Sequence, residues 1–280
     1  MNGKPLTWEE SVRWLRENSD DQVLVKHCYY DDPLELAAER FRLSEEWQAL
    51  KILLKPYLPG CVLDLGAGRG ISSYAFAKAG CKVTALEPDP SMLVGAGAIQ
   101  SLFDATNLSL RIVEEYGESL PFKDNSFDVV YGRAVLHHAR DLPKLCREAQ
   151  RVLKPGGVFI ATREHVISRK EDLQEFLDNH ALHRLYGGEN AYLLKEYIYA
   201  IKDSGMQLLK AIGPMENAIN YAPLTYSGFT NMVEHTLSRF LPTSIARAGA
   251  QNKSFQRLYG RYVSQRSEEP GRHYSFLSVK

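Results

Sequence analysis

From Cys61 onward, short apolar runs alternate with stretches of helical periodicity, and this alternation restricts the chain more than any other feature. Cys61-Val62-Leu63-Asp64-Leu65 leads into a glycine-rich turn, and residues 71–79 then read as a helix closed by Gly80. Residues 82–86 form the second apolar run and a helix follows Pro90. Residues 110–113, 127–131 and 158–162 supply the third, fourth and fifth runs. Apolar runs separated by helices are strands covered on both faces, which implies parallel neighbours joined by right-handed crossovers. Ligands of such sheets lie at the carboxyl ends of the strands.

Three helices are expected ahead of this region. Thr7-Trp8-Glu9-Glu10 is a capping box, Asp32-Pro33 opens a second helix, and Ser44 caps a third that Pro56 stops. After the fifth run, Ser168 to Glu171 reads as another capping box. Residues 192–204 read as a helix ended by Gly205, followed by a sixth strand at 206–212. Residues 214–270 are rich in aromatics and helix formers, and residues 272–280 alternate as a seventh strand. The expected division is a helical cap (1–59), a ligand-binding core (60–213), a helical insertion (214–270) and the core's final strand (271–280).

Thirty-four basic residues balance thirty-four acidic ones in the 280-residue chain, so no bulk field gathers nucleic acid or anionic membrane. No run approaches the roughly 20 apolar residues of a spanning helix, and the opening residues lack a signal-peptide core. The reading is a cytoplasmic protein with a small-molecule substrate and neither nucleic acid nor membrane as partner. The four cysteines, Cys28, Cys61, Cys81 and Cys146, form no C-x-x-C pair. No Cys/His group has zinc spacing, so no metal is expected.

Asp64-Leu65-Gly66-Ala67-Gly68-Arg69-Gly70 joins a strand to a helix, where glycines admit a ligand to the backbone. The third glycine comes one residue earlier than in the dinucleotide fingerprint G-x-G-x-x-G, which disfavours a pyrophosphate cradle. Glu87 ends the second strand, where an acid can accept both ribose hydroxyls of an adenosine.

Val62 to Gly70 resembles motif I of the class I S-adenosylmethionine-dependent methyltransferases, and Ala85-Leu86-Glu87-Pro88-Asp89 resembles their ribose-binding acid. Ser119-Leu120-Pro121-Phe122, Asn125 to Val130, Leu136-His137-His138, Glu148 to Lys154 and Pro155-Gly156-Gly157 are similar to the small-molecule branch. The resemblance covers about residues 60–162. It implies an α/β, Rossmann-like, doubly wound, mostly parallel seven-stranded sheet, with N-terminal helices and a helical insertion before the last strand. It implies S-adenosyl-L-methionine as cofactor and methyl transfer to oxygen or nitrogen of a metabolite, a sugar or natural-product intermediate.

Carried over by position, Gly66, Ala67 and Gly68 would line the methionine moiety and Glu87, followed by Pro88, would hold the ribose. Asp64 would orient the methionine amino group, Gly117 and Glu118 would meet the adenine edge, and Arg133 would stand at the methionine end. Tyr116 stands where the family often has an adenine-binding acid. Tyr29, Tyr30 and Arg40 belong to helices that in similar enzymes fold over the cofactor. Candidate catalytic groups follow strands four and five: His137 and His138, then Glu164 and His165. His180, His183 and Tyr186 beside Gly187-Gly188 suit a lid. The aromatics of 214–270 suit either an acceptor pocket or a subdomain core. A non-catalytic binder of the cofactor and a nucleotide-dependent oxidoreductase are the competing readings.

Overall fold

The computed structural model describes residues 5–18 and 22–280; the opening Met-Asn-Gly-Lys, read above for a leader, lies outside the described residues. The cap contains α1 (Trp8–Asn18), α2 (Gln22–His27), α3 (Leu34–Leu43) and α4 (Glu45–Leu54), one helix more than the capping signals announced. α2 is only six residues long, too short for helical periodicity to single it out. At α1 the capping box forms, with Thr7 Oγ1 accepting from the Glu10 amide at 3.2 Å and a Glu10 carboxylate oxygen accepting from the Thr7 amide at 2.7 Å. Ser44 Oγ likewise accepts from the Trp47 amide at 3.1 Å.

The core alternates β1 (Cys61–Leu65), α5 (Ile71–Lys78), β2 (Lys82–Leu86), α6 (Ala96–Thr106), β3 (Arg111–Val113), β4 (Phe127–Arg133), α7 (Leu142–Val152) and β5 (Leu153–Ile167). α8 (Asp172–Asn179) and α9 (His183–Tyr186) follow, then β6 (Tyr192–Leu193), α10 (Leu194–Asp203) and β7 (Gln207–Ile212). The insertion is α11 (Tyr226–Ser238), α12 (Thr243–Gln251) and α13 (Lys253–Arg266), and β8 (Arg272–Val279) closes the chain. Two local expectations shift. At α8 the Ser168 box is replaced by the Asp172 carboxylate accepting from the Arg169 amide at 2.9 Å. Tyr192 and Leu193, read as helix, pair with Val166 and Ile167 as a short strand.

Seven strands run in the order β3-β2-β1-β4-β5-β8-β7, with β6 beside β5. β1 to β5 are parallel and β8 is antiparallel to both β5 and β7. Successive side chains alternate faces with period two, so Val62, Val129, Tyr131 and Ile160 join the layer of α3 to α6, with Phe41, Trp47 and Phe76. Leu63, Val130, Phe159 and Ala161 join the layer of α7 and α10, with Tyr197 and Phe276. The chain moves outward from β1 to β3 and then returns to the other side of β1 at β4. The crevice at the carboxyl ends of β1 and β4 is therefore the switch point where α/β sheets take ligands.

Within β5 the register against β8 slips between Ala161 and Glu164, and Arg163 has φ +59°. The extra residue reverses the side-chain parity. Glu164 consequently lies on the buried face of Phe159, Ala161 and Val166 instead of on the opposite, equally buried face of Ile160.

The insertion builds its own small core. Tyr221 stacks on Phe229 with ring centroids 4.9 Å apart, and Phe255 stacks on Tyr259 at 6.1 Å. Tyr221, Phe229, Phe255 and Tyr259 share one apolar cluster, while Tyr226, Phe240 and Tyr262 are exposed.

Candidate active site

The glycine turn reverses the chain at the end of β1 through three glycines with positive φ: +64° at Gly66, +55° at Gly68 and +80° at Gly70. A Cβ at Gly66 would lie 2.4 Å from the Val135 side chain, so the turn sits hard against the segment after β4. A Cβ at Gly68 would meet nothing nearer than the Trp8 ring at 3.7 Å, leaving its outer face open except for the cap. Behind the turn, Asp64 is buried and accepts from the Ser72 and Ser73 hydroxyls at 2.9 and 2.6 Å. The sequence places it at the methionine amino group; the structure ties it to the first turn of α5. Burial pushes its carboxyl up to about 6 against those hydrogen bonds.

Glu87 faces the turn. One carboxylate oxygen accepts from the Gly68 amide at 2.8 Å and the other from the Asp89 amide at 3.0 Å. Each oxygen has two lone pairs, so one on each remains for a paired donor such as a ribose diol. The residue is 4% exposed, and burial raises its carboxyl to about 7 despite both amides. Pro88 follows it, half-buried. Gly117 packs between Leu65 and Leu145, and Glu118 accepts from the Arg140 amide at 2.8 Å. Tyr116 is exposed, with the Arg140 guanidinium 4.7 Å above its ring.

The cap is fastened to this crevice by two arginines. Arg69, on the turn itself, donates to the carbonyls of Tyr29 and Asp31 at 2.7 and 2.9 Å and to the Asp32 carboxylate at 2.6 Å. Arg133, expected at the methionine end, instead donates twice to Glu46 of α4, at 2.7 and 3.1 Å. Its guanidinium also lies 5.5 Å from the Tyr29 ring and 5.6 Å from Phe41. Tyr30 accepts from the Trp8 indole at 3.3 Å and so stands in the cover over Gly68. Arg40 pairs with Asp31 at 2.6 Å, its guanidinium 5.1 Å from the Tyr29 ring.

The four catalytic candidates do converge. Glu164 accepts from the Val135 and His137 amides, both at 3.1 Å, and from His137 Nδ1 at 2.7 Å. It thereby clamps the turn after β4. The His137 and His165 ring centroids are 4.6 Å apart, and those of His137 and His138 are 4.2 Å apart. Burial drives the His137 imidazole down, but the Glu164 hydrogen bond and the Glu189 carboxylate outweigh it and hold the ring at about 9. Glu189 itself went unread in the sequence. It follows the Gly187-Gly188 pair, the only local signal that could have drawn attention to it. His180 and Tyr186 of the expected lid both reach it, Tyr186 donating at 2.7 Å.

Residues 63–161 match the family described as methyltransferase domain. That segment is thus similar to the methyltransferase domain of the class I S-adenosylmethionine-dependent enzymes. An uncharacterised methyltransferase of Mycobacterium sp. (strain JLS) is 37% identical over 159 residues, covering 55% of this chain and 56% of the relative. The sarcosine/dimethylglycine N-methyltransferase of Halorhodospira halochloris is 34% identical over 142 residues, covering 48% and 47%. The chain thus spans about half the length of the curated relatives it matches. Among solved structures, geranyl diphosphate methyltransferase in complex with S-adenosylmethionine superposes with a TM-score of 0.54 at 18% identity, covering 91% of this chain and 94% of that one. That last likeness is one of fold. S-adenosylmethionine is the methyl donor of this domain family. Among the described residues, no helix is long and apolar enough to cross a membrane.

One variant tests the turn. Gly68→Val is expected to remove detectable S-adenosylhomocysteine binding, because a β-branched side chain at positive φ is strained and its methyls meet the Trp8 cover. Calorimetry reads the binding, and far-UV circular dichroism establishes that the sheet persists; undiminished affinity would mean the ligand lies elsewhere.

Proposed function

We propose that the protein transfers a methyl group from S-adenosylmethionine to an oxygen or nitrogen of a small metabolite, with a sugar or natural-product intermediate as the acceptor class. The observation that carries this reading is the buried Glu87 carboxylate, turned to Gly68 with a lone pair free on each oxygen under the Trp8–Tyr30 cover. When bound, the cofactor supplies an electrophilic methyl on its sulfonium. In this reading Glu87 takes the ribose hydroxyls, and the backbone at Gly66, Ala67 and Gly68 lines the methionine end. The Gly117–Glu118 segment bounds the adenine side.

The cap supports a small acceptor. Four cap residues, Trp8, Tyr29, Tyr30 and Glu46, close on the crevice from one side, and a covered compartment excludes water and a polymer alike. Positioning is the main demand of such a transfer and is worth up to about 7–11 kcal/mol. A neutral imidazole adds a general base where the acceptor must lose a proton. His138 suits that role: its ring is exposed, and its Nδ1 donates to the Gly188 carbonyl at 3.1 Å, leaving Nε2 to accept. Glu164, fully occupied by the turn after β4, acts as a positioning group. The name of the Halorhodospira relative favours an amine among the acceptors, without fixing it.

The test is incubation of the purified chain with S-adenosylmethionine carrying an isotopically labelled methyl and fractionated metabolite extract. Expected are S-adenosylhomocysteine and a labelled small molecule. Cofactor binding without any labelled product would establish a binder instead, and binding of NAD(H) without S-adenosylhomocysteine would overturn the reading altogether.

A further inference from the structure

Five histidines, two buried glutamates and a cavity meet at one end of β5, and neither the glycine turn nor Glu87 accounts for them. His165 lies with its ring centroid 4.6 Å from His137, 5.4 Å from His180 and 5.0 Å from His273. It lines a cavity of about 420 Å³ together with His180, His273 and Phe176.

The tautomers in this cluster are set by oxygen acceptors. A carbonyl or carboxylate cannot donate, so the ring nitrogen facing it must carry the proton. His137 Nδ1 faces Glu164 at 2.7 Å, His165 Nδ1 faces the Gly271 carbonyl at 2.9 Å, and His138 Nδ1 faces the Gly188 carbonyl at 3.1 Å. In each ring the Nε2 atom is the one left over. Metal-ligating histidines are held in this way, with the second nitrogen donating to a carboxylate or carbonyl that fixes the ring. Among the described residues, no hydrogen-bond donor is paired with His165 Nε2.

The distances to Glu189 point the same way. Its carboxylate lies 3.6 Å from His137 Nε2, 3.8 Å from His138 Nε2 and 3.9 Å from His180 Nδ1. All three are too long for a hydrogen bond, whose usual N···O length is about 2.9 Å. Ligand atoms at about 2.0–2.1 Å from one tetrahedral ion stand roughly 3.3 Å apart. The candidate ligand atoms of His137, His165 and Glu189 all lie within 4.8 Å of one another, a separation that small side-chain rotations close. Charge agrees. Glu164 and Glu189 are both buried, and among the described residues their ion pairs are made with histidines and not with lysine or arginine. Two carboxylates balance one dication once the ion displaces the His137 Nε2 proton on binding.

We propose that His137 Nε2, His165 Nε2 and a Glu189 carboxylate oxygen form a site for one divalent first-row transition-metal ion, with Glu164 and Gly271 orienting the two imidazoles. Two imidazoles and one carboxylate form a borderline donor set that suits Zn²⁺, Fe²⁺, Co²⁺ or Ni²⁺ and disfavours Mg²⁺ and Ca²⁺. Three protein ligands leave a coordination position for water or an oxygen-donor ligand. The site connects to the donor crevice through side chains: Tyr186 donates to Glu189 and packs in one cluster with Tyr30, which accepts from Trp8 over Gly68. The ligand set itself does not depend on the methyl-transfer reading. Sequence spacing gave no sign of it because the three ligands come from separate segments, after β4, within β5 and after α9.

The test uses the full chain without an affinity tag, stripped with a chelator and titrated with Co²⁺ as an optical probe, then with Zn²⁺ as competitor. Expected is one equivalent of Co²⁺ with a visible ligand-field band that Zn²⁺ abolishes. His165→Ala and Glu189→Gln should lose the band, Glu164→Gln should weaken binding about 10–100-fold, and His235→Ala on exposed α11 should keep it. X-ray absorption on the wild-type Co²⁺ complex supplies a readout that needs no variant, with two imidazole nitrogens in the shell expected. Absence of stoichiometric Co²⁺ uptake by the wild-type chain overturns the proposal, as does uptake unchanged in both ligand variants. S-adenosylhomocysteine binding by the stripped chain is measured alongside, so that failure of the metal site and failure of the donor site are read separately.

Discussion

Glu46→Ala is expected to destabilise the protein by about 3–5 kcal/mol, because it leaves buried positive charge without its partner. Glu46 receives two hydrogen bonds from Arg133, and Arg163 Nη1 lies 3.9 Å from the same carboxylate. The three side chains are 5%, 15% and 12% exposed, so water does not replace the lost anion. Burial pushes the Glu46 carboxyl up, but the two guanidiniums outweigh it and hold it below the ordinary carboxylate range. The sign follows. A depressed acid contributes stability above its ordinary pKa and loses it as pH falls through the folded value, so the gap between wild type and Glu46→Ala should narrow only in acid. Urea denaturation at neutral and acid pH measures both. Glu46→Leu combined with Arg133→Met should recover part of the loss, since an apolar pair of similar volume avoids the desolvation cost. A neutral-pH loss under about 1 kcal/mol would show the pair to be solvated. Because Glu46 sits on α4 and Arg133 at the end of β4, the same substitution should loosen the cover over the donor crevice.

The sheet was legible because its signals are local. β1 and β2 fall where the apolar runs place them, and α5 ends at the Gly80 stop. The glycine turn and Glu87 were legible because positive φ and a strand-end acid each have a residue signature. What escaped was long-range. Arg133 reads as a ligand-facing residue from its place after a strand, yet its partner is Glu46, which sits far away in sequence. Asp64 likewise looks free until the first turn of α5 brings Ser72 and Ser73 to it. β5 was read five residues long and runs to Ile167, since the bulge at Arg163 breaks the apolar alternation that would have signalled its continuation. That same bulge moves Glu164 to the opposite face of β5, so the clamp on His137 could be named as a candidate from sequence but not given its geometry.

The second large effect concerns Glu87. Glu87→Ala should weaken S-adenosylhomocysteine binding by about 1.5–3 kcal/mol, roughly 10–150-fold, through loss of charge-assisted hydrogen bonds. The accompanying pH dependence is the sharper test. Burial holds the Glu87 carboxyl at about 7 in the free protein, with the Asp89 and Gly68 amides pulling it down and the Asp89 and Asp64 carboxylates pushing it up. Ribose hydroxyls donate to the ionised form and favour it, so binding below neutrality releases a proton. Affinity should therefore fall up to about tenfold per pH unit below 7 and level off above it. Stability of the free protein runs the opposite way. An acid whose folded pKa is raised contributes stability fully present below its ordinary value, and this is lost as pH rises through about 7. Glu87→Gln keeps the shape and removes the charge change, so it should flatten both profiles. Asp64, raised to about 6 but tied to Ser72 and Ser73, would leave its own dependence in that variant. A dissociation constant independent of pH between 5 and 8 in the wild type, and equal in Glu87→Gln, would place the ligand away from this carboxylate.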